Sequence, residues 1–133
     1  MTTPGIALSL PERIEAIEQA YELMLAYAAQ VRQDDADDSS SIRRFLKRAD
    51  AALDGLAACL QEAVATQADA FVDFIAVLED DARRTRAAIR LVLAQKALSS
   101  QLIDNLNASI HIRALLTDIF LIDETLKGHA NDE

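Results

Sequence analysis

Residues 105–126, NLNASIHIRALLTDIFLIDETL, form the densest apolar stretch of this 133-residue chain. Their apolar side chains recur every three or four positions, which is the period of an α-helix rather than that of a β-strand. Polar side chains stand between them throughout the stretch. The sequence therefore predicts a long helix here, and the directions of its apolar side chains predict how that helix packs.

Two apolar ladders run along this predicted helix. The first consists of Ala108, Ile112, Leu115, Ile119, Ile122 and Leu126, and the second consists of Ile103, Leu106, Ile110, Ala114, Thr117 and Leu121. At 3.6 residues per turn their mean directions differ by roughly 160°, so they lie on nearly opposite faces. One core cannot receive both faces, so we expect one of them to pack against a second chain. We assign the first ladder to the interface of a twofold homodimer, because a single patch can complement itself.

Capping patterns mark where the helices begin and end. Ser9 and Glu12 have the spacing of a capping box, which predicts a helix start near residue 10. Ser99 is a candidate N-cap for the last helix, and Gly128 is a candidate for its end, because glycine tolerates the left-handed conformation found there. The acidic run QDDADDSSS at residues 33–41 is typical of a solvated loop.

The apolar stripes between these positions predict an all-α protein. They indicate four helices, over about residues 10–32, 41–65, 67–95 and 100–127. The boundary near residue 66 is either a loop or a kink in one longer helix. Four such helices with short connections favour an antiparallel up-down-up-down four-helix bundle. The chain has enough residues for one core, so we expect a single domain over residues 1–133.

Composition narrows the classes of function. Hydrophobic residues make up 51% of the chain, which has only 3 Gly and 2 Pro, and this argues against disorder and against a β-rich fold. The formal net charge of −9 argues against binding to nucleic acid or to anionic membranes, which draws on Lys and Arg. The single cysteine, Cys59, and the absence of a signal segment in the first residues predict a cytoplasmic protein.

Most of the positive charge falls in two short runs. They contain Arg43, Arg44, Lys47 and Arg48 in one predicted helix and Arg83, Arg84, Arg86 and Arg90 in the next. In an antiparallel pair of helices the two runs lie level with each other. They form either a solvated surface that nearby aspartates partly neutralise, or a docking site for an acidic partner or a phosphorylated ligand, since arginine suits bidentate contacts with carboxylate and phosphate.

Small residues predict a narrow waist in the bundle. Its candidate lining residues are Ala28, Ala49, Ala52, Ala82 and Thr85. Close packing of the helices is one interpretation, because protein interiors are filled to nearly crystalline density. The other is a small-molecule or cofactor cavity between the helices, although the sequence names no ligand.

Patterns that would indicate catalysis or metal binding are missing from the sequence. Two histidines, neither in a Glu-x-x-His pair, argue against a di-iron site, and one cysteine argues against a structural zinc site. There is no glycine-rich phosphate loop and no glycine-flanked serine nucleophile. We therefore predict a non-enzymatic protein with neither a metal nor a cofactor.

His111 is a candidate phosphoacceptor. The run from His111 to Leu115 resembles the active helix of histidine phosphotransfer domains, which are acidic four-helix proteins of similar length. Those domains carry His-x-x-Lys-Gly, whereas Ala114 and Leu115 occupy the Lys and Gly positions here. The resemblance implies a signalling protein that receives a phosphoryl group on His111, and it covers five residues.

The leading hypothesis is a protein-interaction or adaptor protein. We expect it to form a homodimer through its fourth helix and to bind another protein through the basic runs. A phosphotransfer protein and a small-molecule carrier remain the alternatives. A bundle fold alone does not decide among these functions.

Overall fold

The computed structural model describes residues 8–29, 39–64 and 69–131, excepting the side chains of residues 28, 39, 40 and 128–131. Over these residues the chain is helical and contains no strand, which confirms the all-α prediction. The helices are α1 (Leu10–Ala29), α2 (Ser39–Leu53), α3 (Leu56–Ala63), α4 (Asp69–Leu93), α5 (Ser100–Asn107) and α6 (Ile110–Asn131). None of these helices has the length and apolarity needed to cross a membrane.

Both N-terminal caps predicted within the described residues are present. At the start of α1, the Ser9 backbone N–H donates to Glu12 Oε1 at 2.9 Å, and the Glu12 N–H donates to Ser9 Oγ at 3.3 Å. The hydrogen bonds from Ser9 lower the pKa of the Glu12 carboxyl. Ser99 Oγ accepts from the Leu102 N–H at 3.1 Å and begins α5. The predicted capping box at Ser9 and Glu12 and the predicted N-cap at Ser99 are therefore confirmed.

The predicted helix over 41–65 is wrong, because the chain turns at Asp54 and Gly55 between α2 and α3. Gly55 has a φ of 87°, a left-handed conformation that a side chain would strain. The buried guanidinium of Arg13 fills the space beside the turn. It donates to the carbonyls of Ala52 at 2.9 Å and Asp54 at 2.6 Å, which satisfies acceptors left over at the end of α2.

The predicted helix over 100–127 is also wrong, since Ala108 and Ser109 separate α5 from α6. The Ser109 Oγ accepts from the His111 N–H at 3.1 Å, so a short polar side chain replaces the missing helical hydrogen bond. At the other end, α6 continues through Gly128 to Asn131, so Gly128 does not stop the helix.

Other predicted boundaries fall partly outside the described residues. The acidic loop was predicted over 33–41, but α2 begins at Ser39, and residues 30–38 lie outside the description. The predicted boundary near residue 66 lies outside it as well.

The core lies between α4 and the helices around it. α4 contacts α2, α3, α5 and α6, while α1 contacts α2, α3 and α5. Fully buried side chains from all six described helices meet there, including Met24, Leu46, Leu60, Leu78, Ile103 and Leu115. The Thr85 hydroxyl donates to the His111 carbonyl at 3.0 Å and joins α4 to the first turn of α6. α4 is therefore the helix on which the other parts of the molecule are positioned.

Candidate functional site

The first ladder of α6 belongs to the core of the chain itself. Ile112, Leu115, Ile119 and Ile122 are buried within it, Leu126 packs against it, and Ala108 is exposed at the turn before α6. These side chains are already covered by other helices of the same chain. The assignment of this ladder to a dimer interface is therefore corrected: its side chains pack within the chain itself.

The second ladder is divided by the turn at Ala108 and Ser109. Its α5 members, Ile103 and Leu106, are buried. In α6, however, Ile110 is 74% exposed and Leu121 is 54% exposed. The ladder faces two directions because the turn changes the helical phase. The apolar side chains left without cover in α6 are thus those of the second ladder.

Leu121 borders an apolar groove between α4 and α6. The groove has a volume of about 290 Å³ and is lined by Ala70, Phe71, Phe74, Leu121, Ile122 and Thr125. Almost all of the lining is carbon, because the threonine is its only polar residue. An open groove of this kind between two packed helices is suited to receive apolar side chains from another molecule.

Further exposed apolar side chains extend this surface along both helices. We define the α4–α6 face as Ala70, Phe74, Val77 and Asp81 of α4 with Ile110, Ala114, Asp118, Leu121 and Thr125 of α6. In each helix these residues follow one another at spacings of three or four, which places them along one side. Val77, Ile110 and Leu121 are exposed. From residue 110 to residue 125 the face is about 22 Å long, at 1.5 Å per residue.

Two carboxyl groups meet within the α4–α6 face. Asp118 of α6 is 8% exposed and lies beside Asp81 of α4. Burial raises the pKa of Asp118 to about 7, and the hydrogen bond with Asp81 and the charge of Asp81 raise it further in the same direction. The Asp118 carboxyl therefore keeps its proton to a pH well above the ordinary range of an aspartate.

The Asp81–Asp118 pair is poorly compensated by its surroundings. Asp118 Oδ2 is buried and accepts no hydrogen bond. The cation beside Asp81 is Arg84, whose Nη1 lies 3.9 Å from Asp81 Oδ1, but the same guanidinium approaches Asp80 Oδ2 more closely, at 3.1 Å. A buried acceptor without a donor costs about 1 to 3 kcal/mol.

The predicted basic zone is largely engaged within the chain. Arg86 Nε donates to Asp50 Oδ1 at 2.9 Å, and Arg90 Nε donates to Asp50 Oδ2 at 3.2 Å. Arg43 donates to the carbonyls of Leu93 at 3.0 Å and Lys96 at 2.8 Å, beyond the end of α4. These arginines join α2 to α4, which explains much of the charge pattern without an external ligand.

The remaining basic residues divide into two groups. Arg83 and Arg84 pair with Asp80 on the surface of α4. The guanidinium groups of Arg44 and Arg48 lie over the Phe45 ring, 5.9 and 5.4 Å from its centroid. Lys47 is exposed beside them, and no carboxylate among the described residues pairs with these three side chains of α2. Docking of an anionic partner there remains a prediction.

The alanine waist is occupied by protein at the positions described. Ala49, Ala52, Ala82 and Thr85 are buried together with Met24. The hydrogen bond from Thr85 to the His111 carbonyl shows that α4 and α6 approach closely at this level. The side chain of Ala28 lies outside the description. A ligand cavity at the waist remains a prediction, and close packing accounts for the residues seen there.

His111 lies at the second position of α6, with an exposed side chain. Phosphotransfer through its imidazole also remains a prediction. Among the described residues no three His, Cys, Asp or Glu side chains group in a way that would hold a metal ion.

Comparison with protein-family models, with curated proteins and with solved structures found no match to this chain.

The sequence analysis did not single out Asp81 and Asp118, although their spacing places both of them among the buried apolar residues. Asp118 stands three residues after Leu115 and four before Ile122, in the register of the buried ladder. Asp81 stands three residues after Leu78 and four before Thr85, in the buried stripe of α4. An acidic residue in an apolar register is rare unless it has a partner or a function.

Proposed function

We propose that this chain is a non-enzymatic protein-interaction protein whose α4–α6 face binds an amphipathic helix of another protein. The apolar groove between Phe74 and Leu121 carries the proposal. Such a helix inserts side chains at spacings of three and four into a groove between two helices. A face about 22 Å long accommodates about 15 helical residues.

Charge favours a different protein over a second copy as the occupant. A twofold contact centred on this face would bring the Asp81–Asp118 pairs of the two copies towards each other, and like charges across an interface oppose association. The chain also has a formal net charge of −9, which repels a second copy and attracts a basic partner. The homodimer predicted from the sequence thus becomes the competing outcome.

We also propose that the helices form an antiparallel up-down-up-down four-helix bundle with two bent arms, α2 with α3 and α5 with α6. Cross-helix contacts support opposite directions for α2 and α4, because Asp50 pairs with Arg86 and Arg90 whereas the earlier Arg43 reaches residues beyond Leu93. Nuclear Overhauser contacts between side chains of Phe74 and Thr125, and of Thr85 and His111, would support this arrangement. Their absence in an assigned spectrum would contradict it.

The test of binding is selection from a displayed library of amphipathic 20-residue helices on immobilised full-length protein. Selected peptides are then titrated into the wild type and two variants. Leu121→Asp places a charge in the groove, whereas Phe120→Asp changes a neighbour that is equally exposed, at 53%, but does not line it. We expect Leu121→Asp to weaken binding at least tenfold and Phe120→Asp to weaken it less than twofold.

Two results would contradict the proposal. One is a failure to select any helix that distinguishes the two variants. The other is a wild-type dimer in sedimentation analysis that Leu121→Asp dissociates and Phe120→Asp does not, which would assign the face to a second copy. Circular dichroism spectra of both variants would verify that each keeps the wild-type helix content.

A further inference from the structure

The Asp81–Asp118 pair lies at the end of the groove, where a bound helix would pass it. Asp118 precedes Leu121 and Ile122 by about one helical turn, and Asp81 follows Phe74 by two turns, or about 10 Å along α4. A helix that buries apolar side chains between Phe74 and Leu121 therefore brings its next turns to the two carboxyl groups.

The pair offers acceptors that the chain leaves unused. Asp118 is more than nine-tenths buried and its Oδ2 has no donor, while the Asp81 side chain keeps 17% of its surface exposed. The other titratable groups on this part of the two helices are Asp80 and Arg84 on α4 and, two turns before Asp118 on α6, His111. Arg84 is already shared with Asp80, so no cation of the described chain is dedicated to the pair.

We infer that the Asp81–Asp118 pair is the polar anchor of the α4–α6 face and receives one lysine or arginine side chain from the bound helix. This inference rests on the proposed function, and it specifies the chemistry of the partner. An ammonium or guanidinium group contacts the pair through the exposed part of the Asp81 carboxylate and brings it a positive charge, and charge-assisted hydrogen bonds are roughly twice as strong as neutral ones. The apolar groove then supplies contact area while the carboxyl pair selects the partner.

A free metal ion fits the site less well than a side-chain cation. Two carboxylates are the only candidate ligands, and the described residues contain no third His, Cys, Asp or Glu positioned with them. Calcium prefers six to eight oxygen ligands, and magnesium prefers octahedral coordination. A side chain held by its own helix needs fewer contacts, because the groove positions it.

The anchor also predicts that binding releases a proton. Burial and the neighbouring Asp81 raise the pKa of Asp118 to about 7, so a large part of the molecules carry a proton on Asp118 at neutral pH. An incoming cation favours the ionised form of Asp118, so this proton passes to solvent. The affinity for a basic helix should therefore increase as the pH rises from 6 to 8, and the affinity for a matched neutral helix should not.

The experiment uses one peptide from the selection that contains a basic residue in its apolar face, with two matched peptides in which this residue is Gln or Glu. Each is titrated into wild type, the double variant Asp81→Asn/Asp118→Asn, and the control Asp123→Asn. Asp123 lies on α6 away from the groove, where it pairs with Lys127 at 3.4 Å. Isothermal titration in two buffers of different ionisation enthalpy reports the proton released.

We expect replacement of the basic residue by Gln to weaken binding to wild type about ten- to hundredfold, the equivalent of one charge-assisted hydrogen-bonded contact. The Glu peptide should bind more weakly still. The double variant should bind the basic and Gln peptides equally, whereas Asp123→Asn should keep the wild-type preference. Retained binding of the Gln peptide shows that the double variant is folded.

Failure of the anchor and failure of the groove give different results. If the basic and Gln peptides bind wild type equally and Leu121→Asp still abolishes binding, the anchor is wrong and the interaction surface stands. The anchor is also overturned if the selected helices carry no basic residue in the apolar face. If Leu121→Asp has no effect on any selected peptide, the proposed function itself is wrong.

Discussion

The acidic residues on the two sides of α4 have neighbours of opposite charge, basic on one side and acidic on the other. On the side facing α2, Asp50 is matched by Arg86 and Arg90. On the side facing α6, Asp118 is matched by another acid, Asp81, and keeps an oxygen without a donor. The first side is complete within the chain, whereas the second is apolar, partly uncovered and short of positive charge. The paired charges on the first side stabilise the fold, whereas the unpaired acceptor beside the apolar groove is the observation behind the proposed partner.

The largest effect on stability is expected from removing an arginine that pairs with Asp50 on the α2 side of α4. Arg86→Gln leaves a partly buried Asp50 with Arg90 alone, and loss of a partner from such a pair should lower the free energy of unfolding by about 2 to 3 kcal/mol. Arg84→Gln, beside Asp81 on a more exposed site, should lower it by less than about 0.5 kcal/mol. Urea denaturation of both variants measures the contrast. Equal losses would show that the two sides do not differ.

A smaller effect of opposite sign is expected on the α6 side. Asp118→Asn keeps the shape of the side chain and lets its amide donate to the Asp81 carboxylate, so at pH 8 it should stabilise the protein by about 1 to 2 kcal/mol. Asp50→Asn should destabilise it, because two arginines then lose a charged acceptor. Thermal unfolding of the two variants beside wild type provides the comparison. Destabilisation by Asp118→Asn at pH 8 would contradict the description of the pair.

The pH dependence of stability should sharpen the same contrast. Folding raises the pKa of Asp118 from 3.8 to about 7, so the native state holds the proton more tightly than the unfolded state. The contribution of this protonation to the free energy of unfolding is complete below pH 3.8 and is lost as the pH rises to about 7. The stability of wild type minus that of Asp118→Asn should therefore decrease between pH 4 and pH 7 and then stay level. A flat difference would show that the carboxyl titrates normally.

The smallest effect on stability is expected within the groove. Leu121→Ser should change the free energy of unfolding by less than about 0.5 kcal/mol, since the side chain is more than half exposed. Leu115→Ser, on the covered side of the same helix, should cost several times more, because it leaves a cavity and a buried hydroxyl. Chemical denaturation of Leu121→Ser and Leu115→Ser distinguishes an uncovered face from a core face. A large loss in Leu121→Ser would place that residue in the core.

Sequence reasoning located the helical parts of the chain because their causes are local. The capping box at Ser9 and Glu12 and the cap at Ser99 need only neighbouring residues, and both are present. The turns at Asp54-Gly55 and at Ser109 were missed because the apolar pattern continues through both of them. Asp-Gly is nevertheless a strong turn pattern in its own right.

The candidate site was harder to predict because it depends on which helix covers which face. Two apolar ladders were recognised in the last helix, but the ladder assigned to a second chain is buried, and part of the other is uncovered. The turn at Ser109 changes the helical phase, and no periodicity analysis that assumes one continuous helix detects this. The sequence showed the two basic runs. It did not show that their partners are Asp50 and the backbone carbonyls from Leu93 onwards, because those residues are distant in sequence.

The most direct test of the central claim is the titration of a selected amphipathic helix into wild type, Leu121→Asp and Phe120→Asp. If the α4–α6 face is the binding surface, the helix should bind Leu121→Asp at least tenfold more weakly than wild type and should bind Phe120→Asp almost as tightly as wild type. All three proteins should be equally folded. Equal affinities for the two variants would contradict it.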